Sequence, residues 1–221
     1  MSGPMNVLLT FRFPFLCLAI ALVLLLPQTP GQSHGSNAGR DGRVRTFLER
    51  SRDSWHDLNV PYEDGQVLHD LVVRKRFTRG LEIGTSTGHS GTWIAWAMSK
   101  TGGKLTTIEI DPDRHRQAVA HFREAGIDAF VDARLGDAHD LVRQLPGPWD
   151  FVFSDADKDW YTQYFKDVDQ KLPGGGCFTA HNVLDPFAGI AAFLEYVRAR
   201  PDYETTVDRT SRSGISISCK R

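Results

Sequence analysis

Asp155, Ala156, Asp157 and Lys158 follow the apolar run Phe151-Val-Phe153, so an acid and a lysine project from the end of a rigid element. A carboxylate there can hold a cation. A lysine partly desolvated beside a cation has a lowered pKa and can take a proton from a hydroxyl. The competing reading makes the acids caps of a helix that starts near Trp160; it suits Asp157 and Asp159 well and Asp155 poorly. Glu109 closes another such run, Thr107-Ile-Glu109, about 25 residues after Gly84, where an acid can accept hydrogen bonds from two sugar hydroxyls. The competing reading is a solvated acid, and Asp111, just before Pro112, is better suited to cap the next helix.

Ahead of these acids lies Leu81-Glu-Ile-Gly-Thr-Ser-Thr-Gly-His-Ser90. Gly84 lets the chain turn off a strand, and Gly88 is read as letting a ligand approach the backbone at a helix start. The Gly-x-x-x-Gly spacing is not the Gly-x-Gly-x-x-Gly of dinucleotide sites, which excludes a nicotinamide enzyme. A looser loop suits the methionine end of S-adenosylmethionine, which offers an ammonium and a carboxylate; a tight turn with no ligand is the bland alternative. Gly136-Asp-Ala-His139 ends a third run, where an adenine edge would lie, and Thr179-Ala-His-Asn182 ends a fifth.

The elements that must position these residues alternate in period. Helical spacing marks Val44–Leu58, Gln66–Arg76, 88–99, 112–125, 138–145, 160–172 and 187–200, with Tyr62-Glu-Asp-Gly65 as a turn. Strand patterns fall at 80–84, 104–110, 129–135, 149–155, 177–182, 203–207 and 215–219. Short buried strands separated by helices argue an α/β fold with a mostly parallel seven-stranded sheet and helices on both faces. The last two strands, joined by a short turn, read as an antiparallel hairpin. In such a sheet ligands bind at the carboxyl ends of the strands, which is where the acids stand.

Ahead of this domain, taken as 41–221, Arg12 is the only charge before Arg40, and the apolar run Phe13–Leu26 leads to Pro27-Gln-Thr-Pro-Gly31. That pattern is a signal peptide over 1–31, or else a membrane anchor, followed by a flexible Ser/Gly/Asn-rich tether over 32–40. The product is secreted or periplasmic, or membrane-anchored through 1–31. Cleavage removes one of 26 basic residues and none of the 27 acids, leaving 25 against 27, near −2. No basic stripe is visible, so nucleic acid is not expected as a partner. Cys177 and Cys219 remain after cleavage and make no disulfide framework.

Together, Leu81–Ser90, Ile108-Glu-Ile-Asp-Pro112, Asp150-Phe-Val-Phe-Ser-Asp-Ala-Asp-Lys158 and Gly214-Ile-Ser-Ile-Ser-Cys-Lys220 resemble the cation-dependent O-methyltransferases, which include the animal catechol and plant caffeoyl-CoA enzymes. The resemblance runs from about Pro61 to Arg221. It implies a Rossmann-like class I methyltransferase fold, S-adenosyl-L-methionine as cofactor and a small aromatic hydroxyl as acceptor. It implies that Glu82, Gly84, Ser86, Gly88 and Ser90 hold the methionine part, Glu109 the ribose, and Gly136, Asp137 and Ala138 the adenine, with Asp64, Gly65 and Asp155 close to the cofactor. Lys158 becomes the general base, and Asp155, His181 and Asn182 the ligands of a divalent metal.

The chain departs from the family at His181, where the family carries aspartate. An imidazole removes a negative charge from the ligand set and favours Mn, Fe, Co or Zn over Mg. The alternatives are a satisfied rim histidine in a metal-free or non-catalytic cofactor-binding relative, and an RNA hydroxyl as acceptor. Trp160 and Tyr161 are either walls of the acceptor pocket or ordinary helix packing. The family's sheet makes the strands of Cys177 and Cys219 antiparallel neighbours, which allows a disulfide in an oxidising compartment; two buried thiols are the competing reading. Relatives are often dimers, and the N-terminal helices offer a surface for one.

Overall fold

The computed structural model describes residues 1, 3, 37–56 and 58–221. The chain divides into two units, Met1–His34 and Gly35–Arg221, and all the elements described lie in the second. Residues 4–36, with almost all of the expected export signal and most of the expected tether, lie outside the described residues. No helix among the described residues is long and apolar enough to cross a membrane.

Seven strands form one sheet: β1 Arg79–Ile83, β2 Lys104–Glu109, β3 Val131–Leu135, β4 Phe151–Ser154, β5 Cys177–His181, β6 Tyr203–Asp208 and β7 Ile215–Lys220. Their order is β3-β2-β1-β4-β5-β7-β6. The first five pair in parallel, and β7 enters antiparallel between β5 and β6. Helices α1 Asn37–Arg50, α2 Tyr62–Lys75, α3 His89–Thr101 and α4 Pro112–Ala125 contribute to one hydrophobic core. Helices α5 Ala138–Gln144, α6 Tyr161–Asp169 and α7 Ala188–Arg198 contribute to a second. Strand side chains alternate between the cores: Phe151 and Phe153 of β4 enter the first, Val152 the second. That is the period-2 pleat of strands buried on both faces.

Several boundaries differ from the sequence reading. α1 begins at Asn37, so residues 37–40 of the expected tether are helical. Gly39 and Gly42 each cost a helix roughly 1 kcal/mol relative to Ala, and tertiary contacts outweigh that. Val44, Phe47 and Leu48 are buried, and the Arg43 guanidinium donates to the last carbonyls of α4, Arg123 and Glu124, at 2.8 Å each. Cations are favourable at a helix carboxyl end. The helix also stops at Arg50 rather than running to Leu58, which is exposed with φ 64°. Tyr62–Gly65, read as a turn, is the first turn of α2.

Cys177 and Cys219 stand directly opposite each other in the β5–β7 ladder and are joined by a disulfide. Of the two readings of these cysteines, the bridge is the one formed.

Candidate functional site

A cleft of about 650 Å³ opens along the carboxyl ends of the parallel strands. Gly84 and Ser86 from the β1–α3 loop, Glu109 from β2, Gly136 to His139 after β3, Asp155 to Lys158 after β4, and His181 and Asn182 at the end of β5 all line it. The strands end in register here, so residues far apart in sequence meet on one rim.

Glu109 organises the β1–α3 loop. It is buried; its Oε2 accepts from the Ser86 amide at 2.7 Å and its Oε1 from the Asp111 amide at 3.0 Å. An ionised carboxylate has about four lone-pair sites, so both oxygens can still accept from a ligand. Asp111 caps α4, accepting from the amides of Asp113 and Arg114 at 2.7 and 2.9 Å.

Gly84 has φ +96°, and a Cβ there would come within 2.9 Å of the Asp155 carbonyl carbon, so the loop and the β4 end are pressed together. Gly88 has φ +98°, which favours glycine, and a Cβ there would also crowd Phe122 and Ala118 of α4 at 3.1 and 3.2 Å; it is not among the residues that line the cleft. Gly65 likewise lies flat against the Trp93 ring, which a Cβ would meet at 2.1 Å.

Beneath the loop, Glu82 is fully buried. Its Oε2 accepts from Thr107 Oγ1 at 2.5 Å, Ser90 adds a second hydrogen bond, and its Oε1 has no partner. Burial pushes this carboxyl up to about 8 against those two hydrogen bonds, helped by the negative charges of Asp155 and Glu109. His89, in contrast, is a satisfied core histidine: Nδ1 faces the Val60 carbonyl at 2.9 Å, Nε2 accepts from Trp93 Nε1 at 3.0 Å, and burial lowers its pKa to about 4.

On the opposite side of the cleft, Lys158 Nζ donates to Asp155 Oδ1 at 2.6 Å and to the Asp155 carbonyl at 3.2 Å. Asp157 caps the short turn Lys158–Trp160, as the capping reading had it, leaving Asp155 free of that task. His181 is buried between two acids: Nε2 lies 2.8 Å from Asp64 Oδ2, and Nδ1 lies 3.3 Å from Asp155 Oδ1. Burial pulls its pKa down, but hydrogen bonds to Asp155 and Asp64, together with their charges, raise it to about 9. Asp64 Oδ2 also accepts from Ser211 Oγ at 2.7 Å.

Of the residues that the resemblance makes metal ligands, His181 is the one with both candidate ligand atoms turned to other groups. Both His181 nitrogens face carboxylate oxygens, Asp155 Oδ1 holds the Lys158 ammonium, and the Asn182 amide donates to Asp185 Oδ2 at 2.7 Å. Among the described residues no group of three or more His, Cys, Asp or Glu is placed to hold a metal ion.

The structure therefore gathers Gly84, Ser86, Glu109, Gly136, Asp137, Ala138, Asp155, Lys158, His181 and Asn182 around one cleft. Asp64, Gly65, Glu82, Gly88 and Ser90 stand behind its wall, all buried or packed away. Neither Trp160 nor Tyr161 is a wall: Tyr161 is fully buried edge-on to Phe193, and Trp160 packs on His139. Sequence reasoning missed Tyr164, Leu58, Ile110 and Phe187, which do line the cleft; the last three are large apolar side chains left exposed at its mouth. An apolar residue at a strand or helix end is not distinguishable in sequence from a core one.

Seven strands in this order, with a ligand-sized cleft at their carboxyl rim, define a Rossmann-like transferase fold. The family described as "O-methyltransferase" matches residues 43–192, and the chain belongs to it. A catechol O-methyltransferase of Niastella koreensis is 39% identical over 131 residues, covering 58% of this chain and 59% of that protein. A caffeoyl-CoA O-methyltransferase of Eucalyptus globulus is 28% identical over 160 residues, covering 67% of this chain and 65% of that one. The chain thus spans under two thirds of the length of these curated relatives. The crystal structure of the O-methyltransferase TomG of Streptomyces achromogenes, involved in tomaymycin synthesis and solved in complex with SAM, superposes with a TM-score of 0.70 at 28% identity, covering 80% of this chain and 89% of that one.

Proposed function

We propose that the chain transfers a methyl group from S-adenosylmethionine to a hydroxyl of a small aromatic, catechol-like acceptor, with Lys158 as the general base. The observation that carries this reading is the division of one cleft. Glu109, at the end of β2, lines one side and the Lys158–Asp155 pair, after β4, the other, with β1 between them and Glu82 behind the wall. Glu82's unpartnered Oε1 suits the cofactor's ammonium, and Glu109 suits its ribose hydroxyls. When bound, the cofactor supplies a methyl group on a sulfonium, an electrophile that needs no activation by the protein. The protein's task is to align the acceptor and strip its proton.

Lys158, once its resting ammonium has given its proton to solvent, would take the proton of the acceptor hydroxyl and leave an oxygen nucleophile for the methyl group that the bound cofactor would supply. The ion pair with Asp155 is where that proton rests afterwards, as an ammonium beside the product oxygen. Leu58, Pro61 and Phe187 give the acceptor end an apolar lining that suits an aromatic ring. The metal implied by the resemblance has no part in this reading, because both nitrogens of His181 face carboxylate oxygens. The test is methyl transfer from labelled S-adenosylmethionine to a panel of catechols and hydroxycinnamates. Cofactor binding without transfer to any phenol would refute the acceptor class.

The reading of residues 1–31 as an export signal, or an anchor, is proposed alongside. The Cys177–Cys219 disulfide supports it, because such bridges persist in oxidising compartments. Amino-terminal sequencing of the exported protein would test it.

A further inference from the structure

Both ring nitrogens of His181, the residue where a metal ligand is expected, face carboxylates, Asp64 on one side and Asp155 on the other. We infer that His181 replaces the divalent cation: its ring joins and neutralises Asp64 and Asp155, and this chain methylates its acceptor without a metal ion. The catalytic half of this inference rests on the proposed methyl transfer; the binding half rests on geometry alone.

Asp64 comes from the first turn of α2, and Asp155 follows β4. An ionised carboxylate only accepts hydrogen bonds. A ring with one nitrogen 2.8 Å from the first carboxylate and the other 3.3 Å from the second must donate from both, and an imidazole with two N–H groups is a cation. A nitrogen that carries a proton has no lone pair to give a metal. Asp155 Oδ1, the oxygen that faces His181, also takes the Lys158 ammonium.

The charges agree. Asp64 and Asp155 contribute two negative charges, His181 and Lys158 two positive ones, and the sum is zero in a cluster whose carboxylates are 0% and 9% exposed. A dication added there would bring two uncompensated charges into a desolvated site, which is strongly unfavourable. With aspartate at 181 the same cluster would hold three negative charges against one positive, an excess of two that a dication neutralises. The departure at position 181 thus changes the cluster by the charge of the ion it dispenses with. His181 acts through Asp155: by holding that carboxylate it fixes the oxygen against which Lys158 is oriented, which makes it a positioning residue.

The test uses the full chain, stripped with a strong chelator and exchanged into metal-free buffer. Binding of added Mn²⁺ is read by electron paramagnetic resonance, and methyl transfer to catechol is followed with and without chelator. The wild-type protein is expected to bind no Mn²⁺ and to lose no turnover in chelator. His181→Asp is expected to acquire a Mn²⁺ site, to lose turnover in chelator and to regain it with Mn²⁺. Mn²⁺ bound by the wild type, turnover lost in chelator, or a folded His181→Asp protein that binds no Mn²⁺ would each overturn the inference. Should the variant not fold, the wild-type binding measurement decides. If neither protein methylates any phenol, the proposed activity fails, while the Mn²⁺ measurement still decides the role of His181.

Discussion

Glu82 offers a way to watch the cofactor's ammonium arrive. In the ligand-free protein, burial holds its carboxyl at about 8, and Oε1 has no partner. At pH 7 roughly nine tenths of such a group is protonated, and a ligand that needs the carboxylate must expel that proton. Binding of S-adenosylhomocysteine is then expected to release close to one proton per chain at pH 6.5. Its apparent affinity should rise about tenfold per pH unit up to roughly pH 7.5, before the ligand's own amino group titrates near 8. Titration calorimetry in two buffers of different ionisation enthalpy counts the protons. Glu82→Gln should abolish the release and weaken binding at pH 8 by about 1.5–3 kcal/mol, the worth of a hydrogen bond to a charged group. The same group sets the sign of a stability effect. Its folded pKa lies above the unfolded value of 4.5, so the folded chain holds the extra proton between pH 4.5 and about 8. The ligand-free protein should therefore lose stability as pH rises through that window, on the order of a few kcal/mol, and Glu82→Gln should flatten the curve. Affinity independent of pH between 6 and 7.5, with no proton released, would refute the pairing of Glu82 with the ammonium.

Other outcomes follow from the same geometry. Lys158→Met should leave S-adenosylhomocysteine affinity nearly intact and lower turnover about 10²-fold or more, the scale of general-base loss; equal turnover on catechol would remove the lysine from the mechanism. Glu109→Ala should weaken cofactor binding by roughly 1.5–3 kcal/mol in calorimetric titration, since it takes away both an acceptor for the ribose and the anchor of the Ser86 amide. Replacing Cys177 and Cys219 by serine should cost about 2–4 kcal/mol in urea unfolding, as expected for a bridge that closes a 42-residue separation; an unchanged midpoint would show that the bridge does not constrain the unfolded chain.

Strand burial and the acids at strand ends are local properties, so the sequence alone determined much of this protein. Period-2 and period-3.6 patterns specified seven strands and the helices between them, because the pleat and the helix each impose their own repeat on what is buried. A parallel sheet aligns its carboxyl ends, so Glu109, Asp155 and His181 were bound to share a rim once each was read as ending a strand. Asp111 before Pro112 declared its cap within three residues. Pairings over long separations were decided only by the tertiary structure, because no local propensity encodes them. His181 finds Asp64 across 117 residues, and Asp64 finds Ser211 across 147. Gly88 stands at φ +98° with Phe122 of the neighbouring helix 3.1 Å from where a Cβ would be, a contact 34 residues away in sequence. Which groups face the two nitrogens of His181 was likewise set by the fold, which brings Asp64 of α2 and Asp155 after β4 to either side of the ring. The helix at Asn37 and the apolar mouth at Leu58 and Phe187 belong with these: in both, packing outweighed the preference written in the local sequence.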